Sequence, residues 1–445
     1  MDYEKLLELL DENKFVEFMN ALDSMNAVDA AELLSSVDDA TLPKIFRLMK
    51  KDTAAEIFAE LDPDTQEKVI QTMRDTEIAK FMDRLFVDDA VDMLEELPAN
   101  VVNRILKNTT PQKRQELNRF LNYPPDSAGG IMTSEFLSIH AGMTVADAVE
   151  TIRHTGVKKE TVYVIYVTDR SRVLVGTVEL KDLLFARPDE IISDIMNTEV
   201  ISVPTTEDKE STAALISRYD LLALPVVDSE KRLVGIVTID DAVDVITEEA
   251  TEDIEIMAAM APSDKPYLKT GVFSIWLKRI PWLLLLMISA TFTGIIISHY
   301  ESALGQVVIL TAFIPMLMDT GGNAGSQASV TIVRGLSVGE IHMKDIFQVL
   351  WKEFRVSLLC GITLSVAAFG KAMLIDRTTP LIALVVSITL FASVVVAKLV
   401  GCSLPILAKR LKLDPAVMAS PFITTIVDAV SLMIYFSVAT LLLHL

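Results

Sequence analysis

Pro421-Phe422-Ile423-Thr424-Thr425-Ile426-Val427-Asp428-Ala429-Val430-Ser431-Leu432-Met433-Ile434-Tyr435-Phe436 is an apolar stretch with one ionisable group. The run around it, Pro415 to Leu445, carries no other full charge and exceeds the ~20 residues that cross a bilayer. Counted from Pro415 as helix, Asp428 lies roughly 20 Å into the membrane. Thr424, Thr425 and Ser431 stand at three- and four-residue steps from it, which puts hydroxyls and carboxylate on one helical face. An ionisable side chain at that depth is costly unless paired or wet, so it marks an ion pathway by default. A protonated or helix-capping aspartate is the other reading.

Four more apolar segments precede it: Ile280–Tyr300, Ser302–Val333 with Asp319, Val356–Ile375 with Lys371, and Thr378–Ala408 with Lys398. The spacing predicts five membrane helices. Basic residues near their ends are lopsided. Lys265, Lys269, Lys278, Arg279, Arg334, Lys344, Lys352, Arg355, Lys409, Arg410 and Lys412 fall on one side, against Lys371 and Arg377 on the other. That bias puts the N-terminus in the cytoplasm and the C-terminus outside. The second segment holds Thr320-Gly321-Gly322-Asn323-Ala324-Gly325-Ser326-Gln327. Three glycines and an upstream Pro315 allow irregular backbone, whose carbonyls with Asn323, Ser326 and Gln327 suit a hydrated cation. They equally allow a small-residue packing face between helices. Asp319 reads either as a second pore carboxylate or as the end of a half-helix.

The rest of the chain is unlike this. Residues 1–264 carry 26 basic and 53 acidic side chains, while residues 265–445 carry 14 and 8. A wholly soluble enzyme is excluded, and so strongly acidic a face disfavours nucleic acid as a partner. Cations are the natural partner. From Leu233 to Asp264 there is no Lys or Arg but nine acids, of which Asp241, Asp244, Glu248 and Glu252 line one helical stripe. Like charges at that spacing destabilise a helix unless something positive offsets them. Carboxylates and water suit hard divalent ions. The two cysteines, Cys360 and Cys402, form no paired metal motif. The opening MDYEKLLELL lacks a basic region before an apolar run, so no secretory signal is read there and the first 264 residues are expected in the cytoplasm.

Residues 1–130 read as short helices throughout. Ala31-Glu32-Leu33-Leu34, Ala55-Glu56-Ile57-Phe58 and Val91-Asp92-Met93-Leu94 head similar segments, a pattern of stacked helices in a small superhelix. Periodicity puts Glu56, Asp88, Asp89 and Asp92 on exposed faces. Residues 131–250 contain a duplication. Ile131-Met132-Thr133 recurs as Ile195-Met196-Asn197, and Val173-Leu174-Val175-Gly176-Thr177-Val178 recurs as Arg232-Leu233-Val234-Gly235-Ile236-Val237. Each unit runs strand, helix, two strands, helix, an α/β pattern.

On these residues the chain resembles the MgtE-type magnesium channels and transporters over nearly its whole length. The duplication looks like a tandem cystathionine-β-synthase (CBS) pair, entered through Tyr123-Pro124-Pro125-Asp126-Ser127-Ala128-Gly129-Gly130-Ile131-Met132. Pro315-Met316-Leu317-Met318-Asp319 with the glycine-rich run looks like the family's second membrane helix. Asp414-Pro415-Ala416, Pro421-Phe422 and Thr424-Thr425-Ile426-Val427-Asp428 look like its fifth. The expected fold is multi-domain: an all-α superhelical domain (1–130), an α/β CBS pair (131–245), a connecting or plug helix (246–270) and an all-α transmembrane domain of five helices (271–445).

The resemblance implies a multi-pass cell-membrane protein in contact with lipid, a homodimer with one pore on its axis, and no enzymatic activity. Asp428 would be the pore aspartate, with Gly321, Gly322, Asn323, Gly325, Thr424, Thr425 and Asp319 around the ion path. Mg²⁺ sheds water reluctantly, so two carboxylates would hold it through its waters. The family also implies closure by cytosolic Mg²⁺. Glu56, Asp88 and Asp92 match acids of the helical domain, and Asp208, Glu210, Asp220, Asp241, Asp244, Glu249, Glu252 and Asp253 match acids of the CBS pair and plug helix. Asp414 matches one at the pore mouth. An adenine nucleotide is a further candidate ligand of the CBS pair, near Tyr219-Asp220 and Thr238–Asp241. Rival readings are transport of Co²⁺, Mn²⁺ or Ni²⁺, a CBS-regulated anion or osmolyte transporter, which Asp428 argues against, and a membrane sensor without transport.

Overall fold

The computed structural model describes residues 3–12, 14–263, 267–268, 270–418 and 420–444. Asp264, Lys265 and Lys269 of the charge arguments lie outside them. The chain divides into two compact units, Met1–Ile246 and Thr247–Leu445.

The first unit begins with short helices: α1 (Tyr3–Asp11), α2 (Phe15–Leu22), α3 (Ala27–Ser35), α4 (Leu42–Leu48), α5 (Lys51–Ala59), α6 (Pro63–Thr72), α7 (Asp75–Met82), α8 (Val87–Glu96), α9 (Ala99–Asn108) and α10 (Pro111–Phe120). Their starts are written in the sequence. Asn26, Asp62 and Thr110 each accept a backbone N–H at a helix N-terminus, and Pro63 and Pro111 follow at the first helical position, where no N–H is missed. Each helix is too short to stand alone in water. Burial of Phe18, Phe58, Leu34, Ile45, Ile78 and Phe120 along one continuous core holds the stack together.

Two copies of an α/β unit follow. The first has β1 (Ser138–His140), α11 (Val145–Thr155), β2 (Val164–Thr168), β3 (Leu174–Glu179), α12 (Leu180–Phe185) and α13 (Ile192–Ile195). The second has β4 (Val203–Pro204), α14 (Lys209–Arg218), β5 (Ala223–Val227), β6 (Leu233–Thr238) and α15 (Ile239–Met257). In each sheet the first strand pairs parallel with the second and the second antiparallel with the third. The duplication explains how the copies interlock. A Cβ on Gly176 would lie 2.7 Å from the Met196 sulfur, and one on Gly235 2.6 Å from the Met132 sulfur. Thr133 pairs with Ile236, and Asn197 with Thr177. Each repeated Ile-Met segment therefore docks on the glycine of the opposite copy.

The second unit holds α16 (Val272–His299), α17 (Glu301–Gln306), α18 (Ile314–Ser337), α19 (Ile346–Leu374), α20 (Pro380–Arg410) and α21 (Ser420–Leu443). Among the described residues, four helical segments are long and apolar enough to cross a membrane: Val272–His299, Met343–Leu374, Pro380–Arg410 and Pro415–Leu443. The fifth long helix, α18, spans about 36 Å but carries a polar face. No residue of α16 is buried, a surface suited to hydrocarbon rather than water. The segment expected as one span from Ser302 is broken. It opens with α17 and a 3₁₀ turn at Val308–Phe313 before α18 starts.

The glycine-rich run also differs from one of its two readings. Its backbone is continuous α-helix, so no carbonyl is freed. The glycines form the packing face instead. A Cβ on Gly321 would lie 3.0 Å from the Ser431 hydroxyl, one on Gly322 3.0 Å from the Thr424 methyl, and one on Gly325 2.7 Å from Ile423. On the other side, a Cβ on Gly401 of α20 would collide with the Gly325 carbonyl. Thus α18 is held between α20 and α21 at backbone contact, the arrangement that small residues permit in lipid. Lys409 donates to the Leu336 carbonyl at 3.0 Å and caps the C-terminal end of α18.

Gly401→Ala should lower the melting temperature of the full-length protein in detergent, an overpacking cost of about 1–3 kcal/mol. Gly294→Ala on α16, where nothing lies within 4 Å, should leave it unchanged. Equal melting of the two variants would refute the assigned packing.

Candidate cation sites

The first unit gathers carboxylates around α8. Asp88, Asp89 and Asp92 occupy one and a half turns of that helix, and Glu160, before β2, and Asp241, in the first turn of α15, act on them. Periodicity assigns Asp88 to an exposed face, but it is 8 % exposed and its Oδ1 has no hydrogen-bond partner. Tertiary packing from outside the helix covers it. Burial pushes Asp88 well above the usual carboxylate range, with Asp89, Asp241 and Glu160 adding to it. Asp89 is pushed up to about 6, first by burial and then by Glu60 and Glu135, while Lys113 opposes this. Asp92 is exposed on α8, as periodicity assigns it, yet the bulk of protein around it and then Asp241 push its carboxyl up to about 7. Glu160, raised to about 7 by burial and Asp89, also has a buried oxygen without a hydrogen-bond partner. Burial takes Asp241 to about 6, although the Thr238 hydroxyl donates to it at 2.5 Å and pulls the other way.

Among the described residues, no group of three or more His, Cys, Asp or Glu side chains converges closely enough to hold a metal ion directly. The acids of this cluster are close enough to repel and too far apart to share a bare ion. Two buried oxygens without partners and several raised carboxyls fit a divalent cation that keeps its water shell.

Other predicted acids lie elsewhere. Glu56 stands on the exposed face of α5; the acid of that segment that reaches the cluster is Glu60. Asp208 is the N-cap of α14, accepting the Ser211 N–H at 3.0 Å. Glu210 is in the first turn of α14, and Asp220 sits exposed in a positive-φ turn after it. Asp244 is exposed on α15, its carboxyl raised by burial and by Asp240.

In the second unit, Glu249, Glu252 and Asp253 lie on the end of α15. Asp253 accepts the Ser337 hydroxyl at 3.2 Å. Burial and then Asp414 raise its carboxyl, with the Ser337 bond opposing. Asp414 in turn accepts the Ala416 N–H at 2.8 Å, fixing the turn that leads into α21. Two acids separated by most of the membrane domain in sequence thus come within electrostatic reach of each other near Ser337, at the C-terminal end of α18.

Within the helices, Asp428 is partly buried on α21, and Asp319 of α18 lies within its electrostatic reach. Residues Pro415–Met418 form a 3₁₀ turn and α21 starts at Ser420, so Asp428 is about 12 Å into the helix rather than 20. The Thr424 and Thr425 hydroxyls both donate to the Pro421 carbonyl, at 2.9 and 3.0 Å, and Ser431 is buried against Gly321. The expected face of free hydroxyls is therefore mostly used up by the helix itself. Asp319, Asn323, Gln327 and Thr331 are exposed at four-residue steps, a polar stripe along the length of α18 opposite its glycine face. Asn323 and Asp319 were legible in the sequence. The stripe, and the part of Glu160 and Glu135 in the first unit, needed the fold.

Apolar helices that carry carboxylates, joined to a unit rich in acids, point to the class of membrane proteins that handle cations. Residues 314–438 match the family of divalent cation transporters called MgtE, residues 25–126 match the MgtE intracellular N domain, and residues 128–189 and 192–248 match CBS domains. The magnesium transporter MgtE of Bacillus subtilis is 34 % identical over 99 % of this chain and 97 % of its own. That of Thermus thermophilus is 40 % identical over 80 % of each chain. A crystal structure of the soluble part of a magnesium transporter superposes with a TM-score of 0.53 at 32 % identity, covering 56 % of this chain and 98 % of that one. The cytosolic domain of the Mg²⁺ channel MgtE in complex with ATP gives 0.52 at 34 %, covering 55 % and 99 %. The chain belongs to the MgtE family of magnesium transporters, whose named function is transport rather than catalysis.

Acids whose folded carboxyls titrate near 6 to 7, against about 4 when unfolded, hold extra protons in the folded state across that interval. Stability from them is therefore fully present at low pH and falls as pH rises through the window. The melting temperature of residues 1–246 in chelator should fall from about pH 5 to about pH 8, and Mg²⁺ should flatten the slope. Asp92→Asn should raise melting at pH 8 without metal. A flat metal-free profile would rule out the cluster as drawn.

Proposed function

We propose that this protein is a Mg²⁺-selective uptake channel or transporter, working as a homodimer with one pore on the dimer axis and closed by cytosolic Mg²⁺. The observation that carries the reading is the placement of Asp428 on α21 with Asp319 of α18 within its electrostatic reach. Asp428 is the selectivity carboxylate, one from each subunit. Asn323 and Asp319 line the route, and Gly321, Gly322 and Gly325, with the Thr424 methyl, bring α18 close enough to α21 to form it. Thr425 stabilises the start of α21 through Pro421. Passage is driven by the membrane potential, since nothing in the mechanism breaks a bond.

The regulatory ion binds through its waters to Asp88, Asp92 and Asp241, with Asp89 and Glu160, and to Asp253 with Asp414. Glu56, Asp208, Glu210, Asp220, Asp244, Glu249 and Glu252 add to the field that concentrates cations. At low Mg²⁺ the acids repel. Binding relieves the repulsion, and the change carried along α15 closes the path. A ligand shifts such an equilibrium only by its different affinity for the two states, and several weak sites give a steep response. The domain limits are 1–130, 131–245, 246–270 and 271–445. The protein resides in the cell membrane among lipid, with its N-terminus cytoplasmic and its C-terminus outside. An adenine nucleotide is a second ligand of the CBS pair, a reading supported by the ATP complex of the related cytosolic domain.

Proteoliposomes loaded with a fluorescent Mg²⁺ indicator test this. Wild type should take up Mg²⁺, Asp428→Ala should lose at least tenfold of the rate, and a protein starting near Tyr267 should no longer shut at high internal Mg²⁺. Normal flux through Asp428→Ala would move the selectivity site to Asp319. Uptake of Co²⁺, Mn²⁺ or Ni²⁺ in preference to Mg²⁺ would change the ion. No flux from folded dimer would leave a sensor.

A further inference from the structure

A charged pair of opposite sign lies among the membrane helices, on the seam of α19 with α20. Glu353 of α19 and Lys398 of α20 have side chains 14 % and 7 % exposed, with Nζ and Oε2 4.0 Å apart. That Oε2 has no hydrogen-bond partner. Charges so buried are expensive in lipid, and an apolar pair would pack there without that cost. The neighbouring contacts indicate what the pair does. Along the same seam, a Cβ on Gly361 would lie 2.9 Å from the Phe391 ring, and the Ser365 hydroxyl donates to the Ser387 carbonyl at 2.9 Å. On this seam of small residues, an aromatic ring and a hydroxyl, the Glu353–Lys398 pair is the charged contact.

Lys398 also shares a turn of α20 with the contacts that support α18. The Ala397 carbonyl lies 3.1 Å from a Cβ built on Gly325, and Gly401, three residues after Lys398, touches the Gly325 carbonyl. Cys402 follows, fully buried in a cluster with Ala328, Ile332 and Leu336 of α18. We infer that the Glu353–Lys398 pair sets the register and rotation of α20 beneath α18, and so acts as a positioning pair for ion passage. The inference rests on the pore reading above only for its flux readout, because Cys402 reports the seam whether or not Asp428 lines a pore.

The test uses full-length protein in proteoliposomes with Cys360→Ser throughout, so that Cys402 is the one thiol. The neutral variant Glu353→Gln/Lys398→Met keeps volume and removes both charges. It should melt within a few degrees of the parent, take up Mg²⁺ at least tenfold more slowly, and expose Cys402 to N-ethylmaleimide, read by mass spectrometry. The reversed pair Glu353→Lys/Lys398→Glu should restore both flux and protection. Either a protected Cys402 or an unchanged flux in the neutral variant overturns the inference, and so does a reversed pair that restores neither. If the parent itself passes no Mg²⁺, the pore reading fails, and the labelling of Cys402 still decides whether the pair holds α20.

Discussion

Both units are organised by carboxylates that outnumber the cations near them. Around α8 the nearby ammonium is Lys113, 3.8 Å from Glu135, and it faces several acids. In the membrane unit, Asp428 has Asp319 rather than a base as its charged neighbour. Protein of ordinary composition would place an arginine in such gaps. Leaving them open keeps the compact state conditional on something small, positive and mobile. A proton would satisfy that condition, and on the proposed reading a hydrated divalent ion would compete with it for the same oxygens.

The membrane unit meets its own constraint by the opposite means, close contact of surfaces with almost no side chain. Gly325 touches α20 through its carbonyl and α21 through the space where a Cβ would stand. A helix held this way on one face is free to spend its other face on polar groups. Asp319, Asn323 and Gln327 occur where apolar residues would otherwise be required for insertion. The glycines and the polar stripe are therefore one design read from two sides, which is why α18 is less apolar than the other four long helices.

How much of this was legible follows from the range of the interactions. The Ile-Met and Val-Gly repeats announced two α/β copies, and helix starts at Asn26, Asp62 and Thr110 are local signals that survive folding. The exposure of Asp88 was misread because helical periodicity knows only its own helix, whereas Glu160 and Asp241 arrive from elsewhere in the fold. The glycine run had two admissible readings, and the choice depended on Gly401 and Ile423, far away in sequence. Asp428 was legible because a lone carboxylate in an apolar run is anomalous without any context. Glu353 was not, since it precedes the apolar segment that the hydropathy marks and looks like an ordinary interfacial charge.

On the proposed reading the ion is recognised through its water shell. An inner-sphere site would need three or more oxygens at about 2.1 Å in octahedral geometry, and would strip a shell that Mg²⁺ releases slowly. Under the proposed function, carboxylates acting on the outer shell would select the diameter of the hydrated ion through the distance between charges. Ca²⁺ and monovalent cations hold their water less tightly and in less regular shells, so on this reading they would complete the same spacing poorly. Such a site discriminates through the rigidity of the helices that carry its acids more than through the acids themselves. On that reading the seams of α18 with α20 and α21 would support selectivity by holding in place the helices that carry the acids.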